Sequence, residues 1–230
     1  MMSKESYKMD MCNGPVLQKV IAFSLPLMLS SCLQLLFNAA DVIVVGRFAG
    51  STSLAAVGST TELLSLLTTL FIGFSIGANV NVARTLGNQD DQGTKDGIHT
   101  AVSVSILSGS AMILLGFLFG RPMLQWMGTP ADVIDKASLY LMIIFIGMPS
   151  NMAYNFGSAI LRAMGDTKRP LYFLSAAGVL NVVLNLIFVI VLHMDVAGVA
   201  LATILSETLS AVLILNCLCR TDGPCHLNIR

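Results

Sequence analysis

The chain has 230 residues, 55% of them hydrophobic and only 11% charged, with a mean hydropathy of +0.78 and a formal net charge of zero. A soluble domain carries about a quarter charged residues, so this composition excludes an ordinary globular fold and predicts an all-α, polytopic membrane protein. The balance of 13 basic and 13 acidic residues offers nothing to a nucleic-acid partner; the partner that composition implies is the lipid bilayer.

Residues 1–14 read as a polar tail in which Lys4 and Lys8 are offset by Glu5 and Asp10. No small-residue cleavage site follows a short apolar core, so the first span is expected to be retained. Apolar runs and loop punctuation then predict six spans, at about 16–46, 53–84, 96–119, 131–163, 169–192 and 195–219. Together they make a transmembrane unit over 15–219, followed at 220–230 by the start of a linker. Pro26 and Pro149 lie inside spans one and four and are the natural kink points, because proline removes a backbone donor and crowds the preceding turn.

Positive charge sets the orientation. Ten basic residues (Lys4, Lys8, Lys19, Arg84, Lys95, Arg162, Lys168, Arg169, Arg220 and Arg230) fall on one side, against Arg47, Arg121 and Lys136 on the other. Both termini are therefore expected on the cytoplasmic side. Trp126, between spans three and four, suits the outer interface, and His193 reads as a solvated residue of an outer turn. Two inner loops, RTLGN at 84–88 and RAMGD at 162–166, place an arginine in the last helical turn and a glycine where the chain can turn left-handed. They read as a shared helix-stop device or, alternatively, as the trace of an internal repeat.

Polar residues inside the spans are arranged in rows. Ser31, Gln34, Asn38 and Asp41 share one face of span one; Asn151, Asn155, Ser158 and Arg162 share one face of span four. Asn181 and Asn185 do so in span five, and Thr203, Glu207 and Ser210 in span six. Hydrocarbon cannot satisfy such groups, so the rows are expected to face one another or water. Ser31, Ser158 and Ser210 read as interhelical packing, and the pairs Gly73/Gly77 and Gly116/Gly120 as close-packing notches. A carboxylate near the bilayer centre is harder to place, at a cost of roughly 2.5–3.5 kcal/mol on insertion scales. Apolar surroundings favour its neutral acid while a cation or amide donors favour the anion, so such a group can exchange a proton or a small cation. Asp41, Asn181, Asn185 and Thr203 would offer oxygen ligands only, the type hard cations prefer. Gln34, Asn38, Asn151, Asn155 and Glu207 are the remaining candidates for a polar pathway.

Five cysteines show no disulfide-framework spacing, and the C-terminal C-x-C-x5-C-H run (Cys217, Cys219, Cys225, His226) matches no standard zinc pattern, so no metal site is assigned. No nucleophile–base pair, H-E-x-x-H or phosphate-cradling Gly-rich loop is present; no enzyme activity, catalytic residue or cofactor is expected.

Taken in order, Pro26 with FNAADVIVVGRF (37–48), SLAAVG (53–58), ARTLGNQD (83–90), LRAMGDTKRP (161–170), GVLNVVLN (178–185) and VAGVALATILSE (196–207) resemble the N-terminal half of a multidrug and toxic compound extrusion (MATE) transporter, including its DinF-like branch. The resemblance implies one six-helix lobe of a twelve-helix antiporter of the plasma membrane, exporting small organic cations in exchange for H+ or Na+, with a second, C-terminal lobe as partner. It also implies that Asp41 is the cation-coupling acid of the first helix, with Asn181 and Thr203 as its polar partners. Asn185 departs from the pattern, since many members have aspartate there, which leaves Asp41 the main charge of the site. Six helices are half of that architecture, so the chain reads as a truncated protein or a single lobe. Two further readings are a lipid-linked-sugar flippase of the same superfamily, which would need a more cationic cavity, and an inactive remnant or membrane scaffold.

Overall fold

The computed structural model describes residues 16–221, all of whose regular elements are helical. The helices are α1 (Val16–Phe48), α2 (Ser51–Gly87), α3 (Asp91–Trp126), α4 (Ile134–Ala163), α5 (Lys168–Asn185) and α6 (Asp195–Cys219), with a π-helical segment, Leu186–Val191, continuing α5. Six of these helical stretches are long and apolar enough to cross a bilayer. The expected tail 1–14, with Lys4, Lys8 and Cys12, and the stretch 222–230, with Cys225, His226 and Arg230, lie outside the described residues.

Spans one to three run longer at their ends than their apolar cores suggest. At 33, 37 and 36 residues, α1 to α3 reach about 50–55 Å at 1.5 Å per residue, well beyond the ~30 Å hydrocarbon layer. Polar caps account for part of the extension: the Asp90 side chain accepts from the Gly93 amide at 2.9 Å and starts α3 five residues before the apolar run. Trp126 closes α3, 79% exposed, and His193 is exposed in the turn before α6. The two helix stops differ. Gly165 is left-handed (φ +80°) after α4 as its sequence predicts, whereas Gly87 is the last helical residue of α2 and Gln89 takes the left-handed turn (φ +57°).

α4 is the centre of the lobe, packed against α2, α3 and α6 and carrying the largest set of buried side chains, including Phe145, Met152, Phe156 and Ile160. α1 leans mainly on α5 and stays largely exposed. Close approach around α4 is made by notches. A Cβ at Gly109 would lie 2.5 Å from Pro149, and one at Gly116 2.1 Å from the Phe145 ring. Gly147 and Gly157 seat Ile204 and Ile214 of α6 in the same manner. Pro149 thus packs into α3 at the very residue where it interrupts the α4 ladder. Gly116 and Gly120 behave as expected, but Gly73 and Gly77 do not: nothing lies within 4 Å of a Cβ at either, so they are exposed small residues and not packing notches. Spacing alone does not say which side of a helix meets a neighbour.

At one end of the lobe, the Lys136 ammonium donates to Ser53 Oγ (2.8 Å) and to Asp195 Oδ2 (2.5 Å), joining the first turns of α2, α4 and α6. At the opposite end Asp166 caps α5, accepting from the Arg169 amide at 3.1 Å and pairing with its guanidinium at 3.2 Å. Burial pushes the Asp166 carboxyl above the usual range, against the opposing pull of Arg169 and Lys168.

The notch geometry makes a paired prediction. Gly116→Val should lower the thermal stability of the detergent-solubilised chain by roughly 1–3 kcal/mol, the cost of overpacking, while Gly73→Val, with the same β-branched change in open space, should stay close to wild type. Equal losses would show that helix propensity, not packing, sets the cost.

Candidate functional site

Helices α1, α2, α4, α5 and α6 enclose one side of an open cleft of about 720 Å³. Gln34, Asn38 and Asp41 line it from α1, Asn151 and Asn155 from α4, Asn181 from α5, and Thr203 and Glu207 from α6. The polar rows therefore face one another. Asn185 lies behind this wall, fully buried, where it reaches the cleft through Asp41.

Two hydrogen-bonded chains organise the polar wall. In the first, the Asn185 amide nitrogen donates to the Asp41 carboxylate and, at 3.2 Å, to Asn181 Oδ1. The Asn181 amide nitrogen donates to Thr203 Oγ1 at 3.4 Å, and that hydroxyl donates to the Val199 carbonyl at 3.0 Å. In the second, the Asn155 amide nitrogen donates to Asn151 Oδ1 (2.9 Å) and the Asn151 amide nitrogen to Glu207 Oε1 (2.8 Å). Each chain ends on a carboxylate. Tyr140, almost wholly buried, lines the same cleft as both carboxylates.

The first chain is completed by one unsatisfied atom: Asn185 Oδ1 is buried with no partner among the described residues. A buried carbonyl oxygen without a donor is costly. Next to the Asp41 carboxylate, it is an acceptor suited to a small hard cation, or to the proton of Asp41 when the acid is neutral. Asp41, Asn185, Asn181 and Thr203 thus belong to one hydrogen-bonded cluster with a free acceptor on it.

What holds α1 against α5 at this point is the pairing of Phe37 with Gly178. A Cβ at Gly178 would sit 1.9 Å from the Phe37 ring, so the ring rests on bare backbone. Phe37 is four residues before Asp41, and Gly178 three before Asn181. The contact therefore fixes the approach of the two helices one turn from the carboxylate.

Several participants escape a reading of the sequence. Thr61, Ser65 and Thr68 of α2 also line the cleft. Their steps of four and three mark a face, but Thr61 and Thr68 bond back to their own helix, so their presence in a membrane span costs little and draws no notice. Ser31 and Ser210 likewise bond back to Leu27 and Glu207 carbonyls; neither bridges helices as the packing reading expects. Tyr140 is flanked by Leu139 and Leu141 and falls on none of the polar rows, so nothing flags it. Cys217 accepts from the Arg169 guanidinium at 3.4 Å, and no group of three or more His, Cys, Asp or Glu side chains is placed to hold a metal ion among the described residues.

A family model described as MatE matches residues 26–187. The probable multidrug resistance protein YpnP of Bacillus subtilis is 34% identical over 202 residues, which cover 86% of this chain and 44% of that protein. The multidrug export protein MepA of Staphylococcus aureus (strain bovine RF122 / ET3-1) is 23% identical over 94% of this chain and 48% of its own length. A crystal structure of MATE in the bent conformation superposes with a TM-score of 0.88 at 27% identity, covering 94% of this chain and 48% of that one. The chain spans about half the length of the curated relatives it matches.

The Phe37–Gly178 contact is testable by compensation. Gly178→Ala should destabilise the detergent-solubilised chain by roughly 1–3 kcal/mol through overpacking, and Phe37→Ala added to it should recover part of the loss. A double variant no more stable than Gly178→Ala would mean that the ring does not set the α1–α5 approach.

Proposed function

This chain belongs to the MatE family, and from that membership we propose that it is the N-terminal lobe of a secondary antiporter that exports small organic cations in exchange for H+ or Na+. The six-helix unit over 15–219 then stands with both termini in the cytoplasm of a cell whose plasma membrane it spans, and residues 220–230 lead to a second lobe that supplies the other wall of the cleft. The observation that carries the reading is the hydrogen-bonded chain Asp41–Asn185–Asn181–Thr203, opening on the cleft at its carboxylate and holding an unpartnered oxygen at Asn185.

In this reading Asp41 is the exchanging group. As an anion it accepts from the Asn185 amide; on taking a proton it loses the charge that holds a cation. Sodium would bring Asp41 together with Asn185 Oδ1, which requires the amide to turn. Either ion neutralises Asp41, and a neutral Asp41 no longer attracts a cationic substrate to that wall. Ion and substrate then compete for one charge, which is the logic of exchange. Glu207, held by Asn151 on the facing wall, supplies a second negative group for the substrate. The multidrug relatives support a broad substrate class. A flippase for lipid-linked sugars needs several cations for its pyrophosphate, whereas among the described cleft residues Arg162 alone is basic, against Asp41 and Glu207.

Efflux of a cationic dye from vesicles containing the full-length transporter, under imposed proton or sodium gradients, tests this. Asp41→Asn should reduce gradient-driven efflux to the level without a gradient, at unchanged protein content. Wild-type efflux in the variant would remove Asp41 from the coupling mechanism.

A further inference from the structure

Arg162, in the last turn of α4, is an unexplained charge. The Lys136, Arg121 and Arg169 side chains are paired with Asp195, Asp135 and Asp166. Arg47, Arg84, Lys95, Lys168 and Arg220 are exposed. Among the described residues, Arg162 is the half-buried basic side chain with neither a hydrogen bond nor an ion pair; its electrostatic neighbour in the cleft is Tyr154, a phenol that carries no charge to balance it. The C-terminal turn of α4 gives it a favourable dipole but no hydrogen bond, and a guanidinium stays charged in any protein setting. Such a group inside a membrane lobe calls for an anion.

Its position says which kind. Arg162 lines the cleft, and it also lines a side pocket of about 270 Å³ between α1, α2 and α4. The other walls of that pocket are Phe23, Leu27, Ile76 and Asn79. Three of these are apolar, and Ile76 and Phe23 are partly open at the lobe surface. Asn79 commits one of its two amide N–H donors to the Ala159 carbonyl at 2.6 Å, and it carries no charge to balance an anion. An anion here meets one five-donor fork at the inner end of an apolar slot. Along α4, Arg162 lies eleven residues from Asn151, the residue that holds Glu207, or about 16 Å at 1.5 Å per residue. The anionic and cationic ends of the cleft are thus well separated.

We propose that Arg162 anchors an anion subsite at which the lobe takes a phosphate-headed, single-chain amphiphile from the membrane, the head on the guanidinium and the alkyl chain in the slot lined by Phe23, Leu27 and Ile76. The subsite is separate from the Asp41 site and widens the substrate class beyond cations. It rests on the cleft being a substrate cleft, and the cation arm of the test reports on that premise separately.

The test is equilibrium binding of radiolabelled decyl phosphate to the 230-residue chain in phosphatidylcholine nanodiscs, with decyltrimethylammonium, decanol and inorganic phosphate as comparisons. Wild type should bind decyl phosphate at least tenfold more tightly than decanol, on the scale of a charge-assisted hydrogen bond. Arg162→Met should lose roughly that factor, Arg162→Lys should keep most of it, and binding of decyltrimethylammonium should not fall with the loss. Ile76→Trp, which fills the slot, should weaken decyl phosphate and leave circular dichroism and monodisperse elution unaltered. Decyl phosphate bound no better than decanol, or equal binding by wild type and Arg162→Met, would overturn the subsite. Inorganic phosphate competing as well as decyl phosphate would overturn the amphiphile, since a free anion would then be the ligand. Cation binding without phosphate binding sinks this inference alone; loss of both sinks the cleft as well.

Discussion

An oxygen that carries charge in an apolar medium must be met by a donor or a cation, and the interior of this lobe is arranged around that requirement. Asp41 is met by the amide of Asn185, and Asn185 can be there only because α5 comes close to α1. The approach in turn depends on a glycine: Phe37 lies on the bare backbone of Gly178, a turn away from the carboxylate. A packing feature that carries no charge therefore sets the geometry of the charged one. The same relation holds on the other side of the cleft. Gly147 and Gly157 let α6 approach α4, and Glu207 of α6 then meets Asn151 of α4.

The consequence is a cleft with two carboxylates, each held at the end of an amide chain, and a guanidinium near the opposite end. Amides suit this role because they turn. An amide that donates to an anion can present its oxygen once the anion is neutralised, without moving the helix that bears it. Asn185 already has one oxygen without a partner. A second aspartate in its place would add charge and attract a cation more strongly, but could not donate to Asp41 while ionised. The π-helical segment that follows Asn185 places the non-standard part of α5 directly after this residue, where a change in winding would reorient it.

The architecture was legible because the bilayer demands it. Six apolar runs can only be helices, and polar residues spaced three and four apart in them can only share faces; Asp41, Asn151, Asn181 and Glu207 meet across the cleft as those rows imply. What stayed hidden depends on which face meets which neighbour. Gly73/Gly77 and Gly116/Gly120 have the same spacing, yet only the second pair touches another helix. Thr61 and Thr68 conceal their place in the cleft by bonding to their own backbone. The π-helical winding of LIFVIV has no counterpart in its apolar, β-branched sequence. The pairing of Lys136 with Asp195 joins residues 59 positions apart that no local pattern connects.

The central claim is that Asp41 changes its ionisation when the coupling ion is exchanged, with Asn185 as its immediate partner. Infrared difference spectroscopy on the chain in lipid, stepped between low and high pH with and without sodium, reads the carbonyl band of a protonated carboxylic acid directly. The account predicts a band in the wild type that disappears in Asp41→Asn and shifts in Asn185→Ala, where the hydrogen bond is lost. A band that persists unchanged in Asp41→Asn would place the titrating group elsewhere and contradict the account.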